Sequence, residues 1–478
     1  MAEIQQSLST DARTASTRLV LVGEFVKEFK KLSRIAAPMV GIFLFDYLLQ
    51  VVSTMMVGHL GQLQLASVAI ATSVTNVVGF SFLSGLAGGL ETLCGQAFGA
   101  QQYQKLGIHT NSAIISLIAI CPIICIPWIF MNKLLLALGQ DPLVSHNAKK
   151  YSLCLIPALF ANAILQPITR FMQTQSLICP MLITYFCILC FHIPVCWILV
   201  FKLKLGILGA AAAFSLSTWL NVVLVSPYVM YSSSCKDTRA KLSKEAFLAI
   251  KQFFAFGLPS ALMLCLRWWS MEMLILSSGF LPNPRLETSG LSICLAITTL
   301  HFIIPYGIGA AASTRVSNEL GAGNPEAARR AAWSAVFVAT LEAVIASTIL
   351  FSCRFIVGYA YSNDKQVVDF IAAMTPLICL SIILDTLHAV FQGVSRGCGW
   401  QHIGACINFV AFYLVGLPVG GVLGFVVHLR GKGLWTGIVV GSAVQSTLLC
   451  LITCFTNWNK QATKAKERLR ERGRSSAA

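Results

Sequence analysis

GLAGGLETLCGQAFGAQ (85–101) and GIGAAASTRVSNELGAG (307–323) read as two copies of one segment, 222 residues apart. Gly85 meets Gly307, Thr92 meets Thr314, Gly99 meets Gly321 and Ala100 meets Ala322. Working outward, Pro38 and Gly58 match Pro259 and Gly279 at a spacing of 221. Ile164, Leu165 and Gln173 match Ile383, Leu384 and Gln392 at 219. Matches held at nearly one spacing identify an internal repeat. The longest polar interruption, SSSCKDTRAKLSKE (232–245), falls between the copies.

Each copy is strongly apolar. Of 478 residues, 56% are hydrophobic and 11% charged, and the mean hydropathy is +0.74. Soluble domains carry about 25% charged residues, so the composition excludes a soluble enzyme. Apolar runs long enough to cross a bilayer, about 17–25 residues, recur along the chain. Twelve spans are expected near 35–57, 64–90, 108–131, 147–173, 179–201, 206–231, 250–279, 288–312, 329–358, 366–394, 402–427 and 433–457. The expected fold is an all-α polytopic membrane protein, with twelve transmembrane helices in two pseudo-symmetric six-helix bundles. An N-terminal segment (1–34) precedes an N-lobe (35–231), a linker (232–249), a C-lobe (250–457) and a basic tail (458–478), read as a frayed or surface-lying helix, solvated or touching lipid.

Six spans per copy insert both copies in the same sense, as a parallel repeat about an axis normal to the membrane. Two such bundles enclose a cleft near the midplane, which points to a carrier rather than a channel. The formal net charge is +16. Lys and Arg number 23 at the termini and their side's loops against 10 on the other side, so both termini are expected in the cytoplasm. This bias accounts for the charge without a nucleic-acid partner. No cleavable signal peptide is evident, and no metal site is expected. Cys187 and Cys190 form a CxxC in an apolar run, with no second pair beside it.

A charge at mid-helix costs about 2.5–3.5 kcal/mol on insertion scales. Asp46, Glu272, Glu342 and Asp385 therefore call for a reason, with Arg267 nearby. A carboxyl in apolar surroundings holds its proton more readily than in water. Glu272 and Asp385 are thus candidates to load a proton on one side and release it on the other; the alternative is neutralisation by Arg267. The repeat matches Asp385 to Gln166, and Glu272 to Gln50 or Val51, so proton handling is expected in the C-lobe. Asp46 reads as a cavity acid or a packing hydrogen-bonder. Glu342 reads as structural, and Glu91 and Glu319, at span ends, receive no role. His301 and His388 read as hydrogen-bonders or relay members, and His301 and Arg267 are also expected among the cavity residues. Pro259 and Pro305 interrupt spans seven and eight, as gating bends or fixed kinks. Trp219, Trp268, Trp269 and Tyr306 could form walls on which a cation stacks.

The chain resembles the multidrug and toxic compound extrusion (MATE) family, in its plant branch. The resemblance rests on VSTMMVGHLGQLQLASVAIA (52–71), GLETLCGQAFGA (89–100), RFMQTQS (170–176), IPYGIGAAASTRVSNELGAGNP (304–325) and SRGCGWQ (395–401), and runs from about residue 35 to 457. It implies a monomeric antiporter, driven by protons rather than sodium, that exports organic cations or secondary metabolites such as alkaloids, xenobiotics or flavonoids. The membrane would be vacuolar or plasma. Acids of spans seven and ten carry the coupling ion in the family and match Glu272 and Asp385; Asn221 matches a polar position beside them. Some bacterial members carry a first-lobe Asp where this chain has Ser53. A lipid-linked oligosaccharide flippase would instead need a cationic cavity, which Arg170 and Arg267 alone could supply. An intramembrane enzyme using His301 would need a His–acid or metal cluster at the rim.

Overall fold

The computed structural model describes the backbone of residues 2–475 and the side chains of residues 23–470. Arg13, Arg18, Arg472 and Arg474 lie outside the described side chains. Twelve helices are long and apolar enough to span a membrane. In the first lobe they are α1 (Ala2–Gly58), α2 (Gln62–Gly99), α3 (Tyr103–Ile129), α4 (Pro142–Thr174), α5 (Ile178–Lys202) and α6 (Ile207–Tyr231). The second lobe holds α7 (Ile250–Ser278), α8 (Pro284–Gly321), α9 (Pro325–Ser352), α10 (Lys365–Cys398), α11 (Gln401–Val426) and α12 (Arg430–Cys454). Pro259 and Pro305 lie inside α7 and α8.

All twelve expected spans are present, and their ends explain what the sequence left out. Helices α2, α8 and α10 run on to Gly99, Gly321 and Cys398, beyond where their apolar runs stop. The extra turns carry polar residues and small ones, and they are buried against the other lobe. The contacts are reciprocal: α1 packs on α8 and α7 packs on α2. At the pseudo-twofold axis α2 meets α8. A Cβ at Gly99 would collide with the Asn318 carbonyl, and a Cβ at Gly321 with the Gln96 carbonyl. The repeated glycines thus permit the closest approach of the two lobes.

Two terminal pieces differ from expectation. Helix α1 continues without a break from residue 2, so the polar start is not a separate segment. Its Glu28 pairs bidentately with Arg315 of α8, at 2.7 and 3.0 Å, and Glu24 pairs with Arg330 of α9 at 3.1 Å. The tail is a docked helix, α13 (Trp458–Ser475). Trp458, Ala462, Ala465 and Leu469, spaced four, three and four apart, are buried on one face. Arg468 donates to Gln96 Oε1 at 3.3 Å and to the Cys398 carbonyl at 3.1 Å, so the tail touches both lobes.

Candidate transport site

A cavity of about 470 Å3 lies between the lobes at mid-height. Helical periodicity supplies its walls. On α1, Phe43, Asp46, Tyr47 and Gln50 fall on one stripe; on α6, Phe214, Thr218 and Asn221 do the same. Asn162 and Gln166 come from α4. The second lobe contributes Trp268 and Glu272, one turn apart on α7, and Thr299, Phe302 and Tyr306 of α8. Rings run across the lobes: Phe43 to Tyr306 at 4.7 Å, Tyr306 to Phe302 at 6.0 Å and Phe302 to Trp268 at 6.1 Å.

Two carboxylates line this cavity, Asp46 from one lobe and Glu272 from the other, and among the described residues no Lys, Arg or His does. Neither acid takes part in an ion pair among the described residues. The cavity is therefore an aromatic-walled space whose fixed charge is entirely negative.

Asp385 is placed differently from Glu272. Its Oδ1 lies 2.7 Å from Arg267 Nη2 and accepts a hydrogen bond from Ser442 Oγ at 3.0 Å. The Arg267 guanidinium also sits over the Phe412 ring, 5.3 Å from its centroid. Asp385, Arg267 and His388 border a separate space of about 20 Å3 inside the second lobe, room for about one water. Leu264, Trp268, Met271, Leu295, Thr299 and Phe302 line both spaces and so form the partition between them.

Four residues expected at the cavity are elsewhere: Arg267, which faces Asp385, and Trp219, His301 and Trp269. Trp219 is 37% exposed on the outer surface and donates Nε1–H to the Pro157 carbonyl at 2.9 Å. It lies about 100° around α6 from Thr218, which does face the cavity. His301 is likewise one position from Phe302 and turns toward α9, where it meets Glu342 at 2.9 Å. That pairing also gives Glu342 its partner. Trp269 faces the first lobe, donating to the Val77 carbonyl at 3.4 Å. Val77 lies in a π-helical turn of α2, Asn76–Phe80, where the regular hydrogen-bond ladder is interrupted.

Below the cavity, at the end where both termini lie, the lobes are interlocked. Glu91, fully buried, pairs with Arg170 of its own lobe at 2.9 Å and with Arg396 of the other at 2.7 Å. Arg170 also donates to the hydroxyl of Tyr306, a cavity-lining residue, at 3.2 Å, which ties the seal to the cavity wall. Around this pair Gln96 donates to the Gly397 carbonyl at 3.1 Å, Gln173 to the Ala310 carbonyl at 3.1 Å and Asn318 to the Thr174 carbonyl at 3.1 Å. Thr92 donates to the Arg396 carbonyl and accepts from Gln401 at 2.6 Å. The apolar run of the second span ends at residue 90, so hydropathy assigns Glu91 no role; the signal lies in Arg170 and Arg396, both inside quoted motifs.

Two repeat-related six-helix bundles around a midplane cavity, sealed at one end, define a membrane carrier. The chain belongs to the MatE family, whose model matches residues 38–198 and 259–422. It is 55% identical over 445 residues to Protein DETOXIFICATION 6 of Arabidopsis thaliana, covering 93% of this chain and 92% of the relative. To Protein DETOXIFICATION 3 of Arabidopsis thaliana it is 56% identical over 447 residues, covering 94% of each. The crystal structure of the eukaryotic MATE transporter AtDTX14 superposes with a TM-score of 0.91 at 51% identity, covering 93% of this chain and 99% of that one. A transporter of the MOP superfamily from Pyrococcus furiosus, 19% identical with a TM-score of 0.80 over 92% of this chain and 97% of its own, shares the fold. The chain is thus an integral membrane efflux transporter for small organic compounds, not an enzyme.

Proposed function

We propose that this transporter is a proton-coupled antiporter that carries organic cations and cationic secondary metabolites, alkaloids and xenobiotics among them, out of the cytosol. The observation that carries the reading is Glu272, an acid that among the described residues has no ion-pair partner, in a 470 Å3 cavity with no described basic residue in its lining. The Lys and Arg bias puts the sealed end in the cytoplasm, so the described state is the one facing the vacuole lumen or cell exterior. In the opposite state, ionised Glu272 draws an aromatic cation onto Trp268, Phe302 and Tyr306; a cation over a ring gains about 0.5–2 kcal/mol. After the lobes rock outward, a proton neutralises Glu272 and the cation leaves. Each pH unit supplies about 1.36 kcal/mol per proton; a one-for-one exchange of proton and monocation moves no net charge, so the membrane potential adds nothing to it.

Asp385 acts through Arg267. A proton on Asp385 cancels its attraction for the guanidinium and frees α7, the helix that carries Trp268 and Glu272. That is a positioning role, distinct from cargo contact. The flippase alternative has little to stand on, because Arg170 is held by Glu91 and Arg267 by Asp385, and neither lines the cavity.

The test is uptake of a labelled aromatic monocation by proteoliposomes under an imposed pH step, with a sodium step as the control. We expect uptake driven by the pH step alone, lost in Glu272→Gln and strongly slowed in Asp385→Asn. Uptake indifferent to the pH step, or unaltered in both variants, refutes the reading.

A further inference from the structure

Asp46 has no counterpart in the coupling scheme above, yet its surroundings are built for a ligand. Asn221 of α6 is 2% exposed and faces the cavity, and its Oδ1 accepts no hydrogen bond. The Oδ1 of Asn162, another lining residue, is buried and also lacks a donor. A buried acceptor left without a donor is destabilising, so such groups are normally paired in a native structure. Here the two unmet amide atoms are acceptors, the unpaired Thr72 hydroxyl can accept as well, all three belong to the first lobe, and a carboxylate without an ion pair stands among them.

What satisfies such a wall is a cation that brings its own N–H donors. A quaternary ammonium offers charge but no donor, whereas a guanidinium or protonated amine offers both. We propose that Asp46, Asn162 and Asn221 form a first-lobe cargo subsite selective for cations bearing N–H groups, separate from the proton site at Glu272. Resting on the antiport reading, this assigns cargo recognition to one lobe and proton exchange to the other. It also lets cargo and proton occupy the same cavity at once, because each has its own carboxylate.

The experiment compares two probes of one shape: phenethylguanidinium, permanently charged with N–H donors, and trimethyl(phenethyl)ammonium, charged without them. Permanent charge removes passive entry of a free base. In proteoliposomes of full-length protein under a pH step, the guanidinium is expected to show a KM about tenfold lower or better. Asp46→Asn and Asn221→Leu should each narrow that ratio, and Asp46→Glu should restore part of it. Binding of both probes to the purified wild-type protein, read as thermal stabilisation, is measured in parallel, so the result does not depend on the variants folding. Equal affinity for the two probes overturns the subsite, as does a variant that weakens both by the same factor. Preferential binding of the guanidinium without pH-driven uptake of either probe upholds the subsite and refutes the antiport reading instead.

Discussion

Replacing Arg396 by Met should loosen the seal without unfolding either lobe. Arg396 Nε lies 2.7 Å from Glu91 Oε2 across the lobe boundary, and both side chains are buried. Removing one partner of an isolated buried pair costs about 3–5 kcal/mol, because the other charge is stranded. Glu91 is not stranded here, since Arg170 remains at 2.9 Å. The loss is then closer to one hydrogen bond between charged groups, about 2 kcal/mol. At 1.4 kcal/mol per decade, the sealed state loses roughly thirtyfold against the state open at the terminal end. Hydrogen–deuterium exchange reads this directly. Backbone amides of 92–100 and 393–401 should exchange about thirtyfold faster in Arg396→Met, while α5, on the far side of the first lobe, keeps its protection. Unchanged protection at the seal, or a rise shared equally by α5, would refute the assignment of Arg396 as a lobe-to-lobe tie.

Other consequences can be checked the same way. Arg267→Met and Asp385→Asn should each lower thermal stability by about 3–5 kcal/mol, while the double variant loses much less than the sum; additive losses in a double-mutant cycle would show that the pair is not coupled. Gly99→Ala and Gly321→Ala each place a methyl against a carbonyl of the opposite lobe, and overpacking of this kind costs about 1–3 kcal/mol, visible as a lower melting temperature. Trp458→Ala, at a buried position of α13, should release the tail, seen as faster tryptic cleavage at Lys460 and Lys464 with the twelve-helix body intact. Glu342→Gln should leave pH-driven uptake close to wild type, because its partner His301 faces away from the cavity; a loss as large as that of Glu272→Gln would contradict this placement.

The twelve spans and their division into two lobes were legible because hydrocarbon imposes a length and a composition on every crossing segment. The ends of α2, α8 and α10 were not, since the turns that form the seal are polar and bury themselves against protein instead of lipid. At the site, Asp46, Asn221, Trp268, Glu272 and Tyr306 do share one cavity. Trp219 and His301 do not, and the reason is angular: each is one residue, about 100° of helix, from a neighbour that lines the cavity. Arg267 was foreseen as a possible neutralising partner, but hydropathy and spacing could not decide whether it would face Asp385 or Glu272. That choice depends on how α7 is rotated against α10, which only the packed lobe fixes. Glu91 shows a different limit. An acid at the edge of an apolar run looks solvated until both arginines that enclose it are placed in space.

Most acceptors in the seal are peptide carbonyls: those of Thr174, Ala310, Arg396 and Gly397. A carbonyl cannot be lost by substitution, so the interlock is encoded chiefly on its donor side, in Thr92, Gln96, Gln173 and Asn318. Drift among related sequences would therefore leave a lopsided trace, with four polar positions held fixed opposite partners whose side chains take no part in these bonds. A search for co-varying pairs across the two lobes would miss most of this contact, although it holds them together.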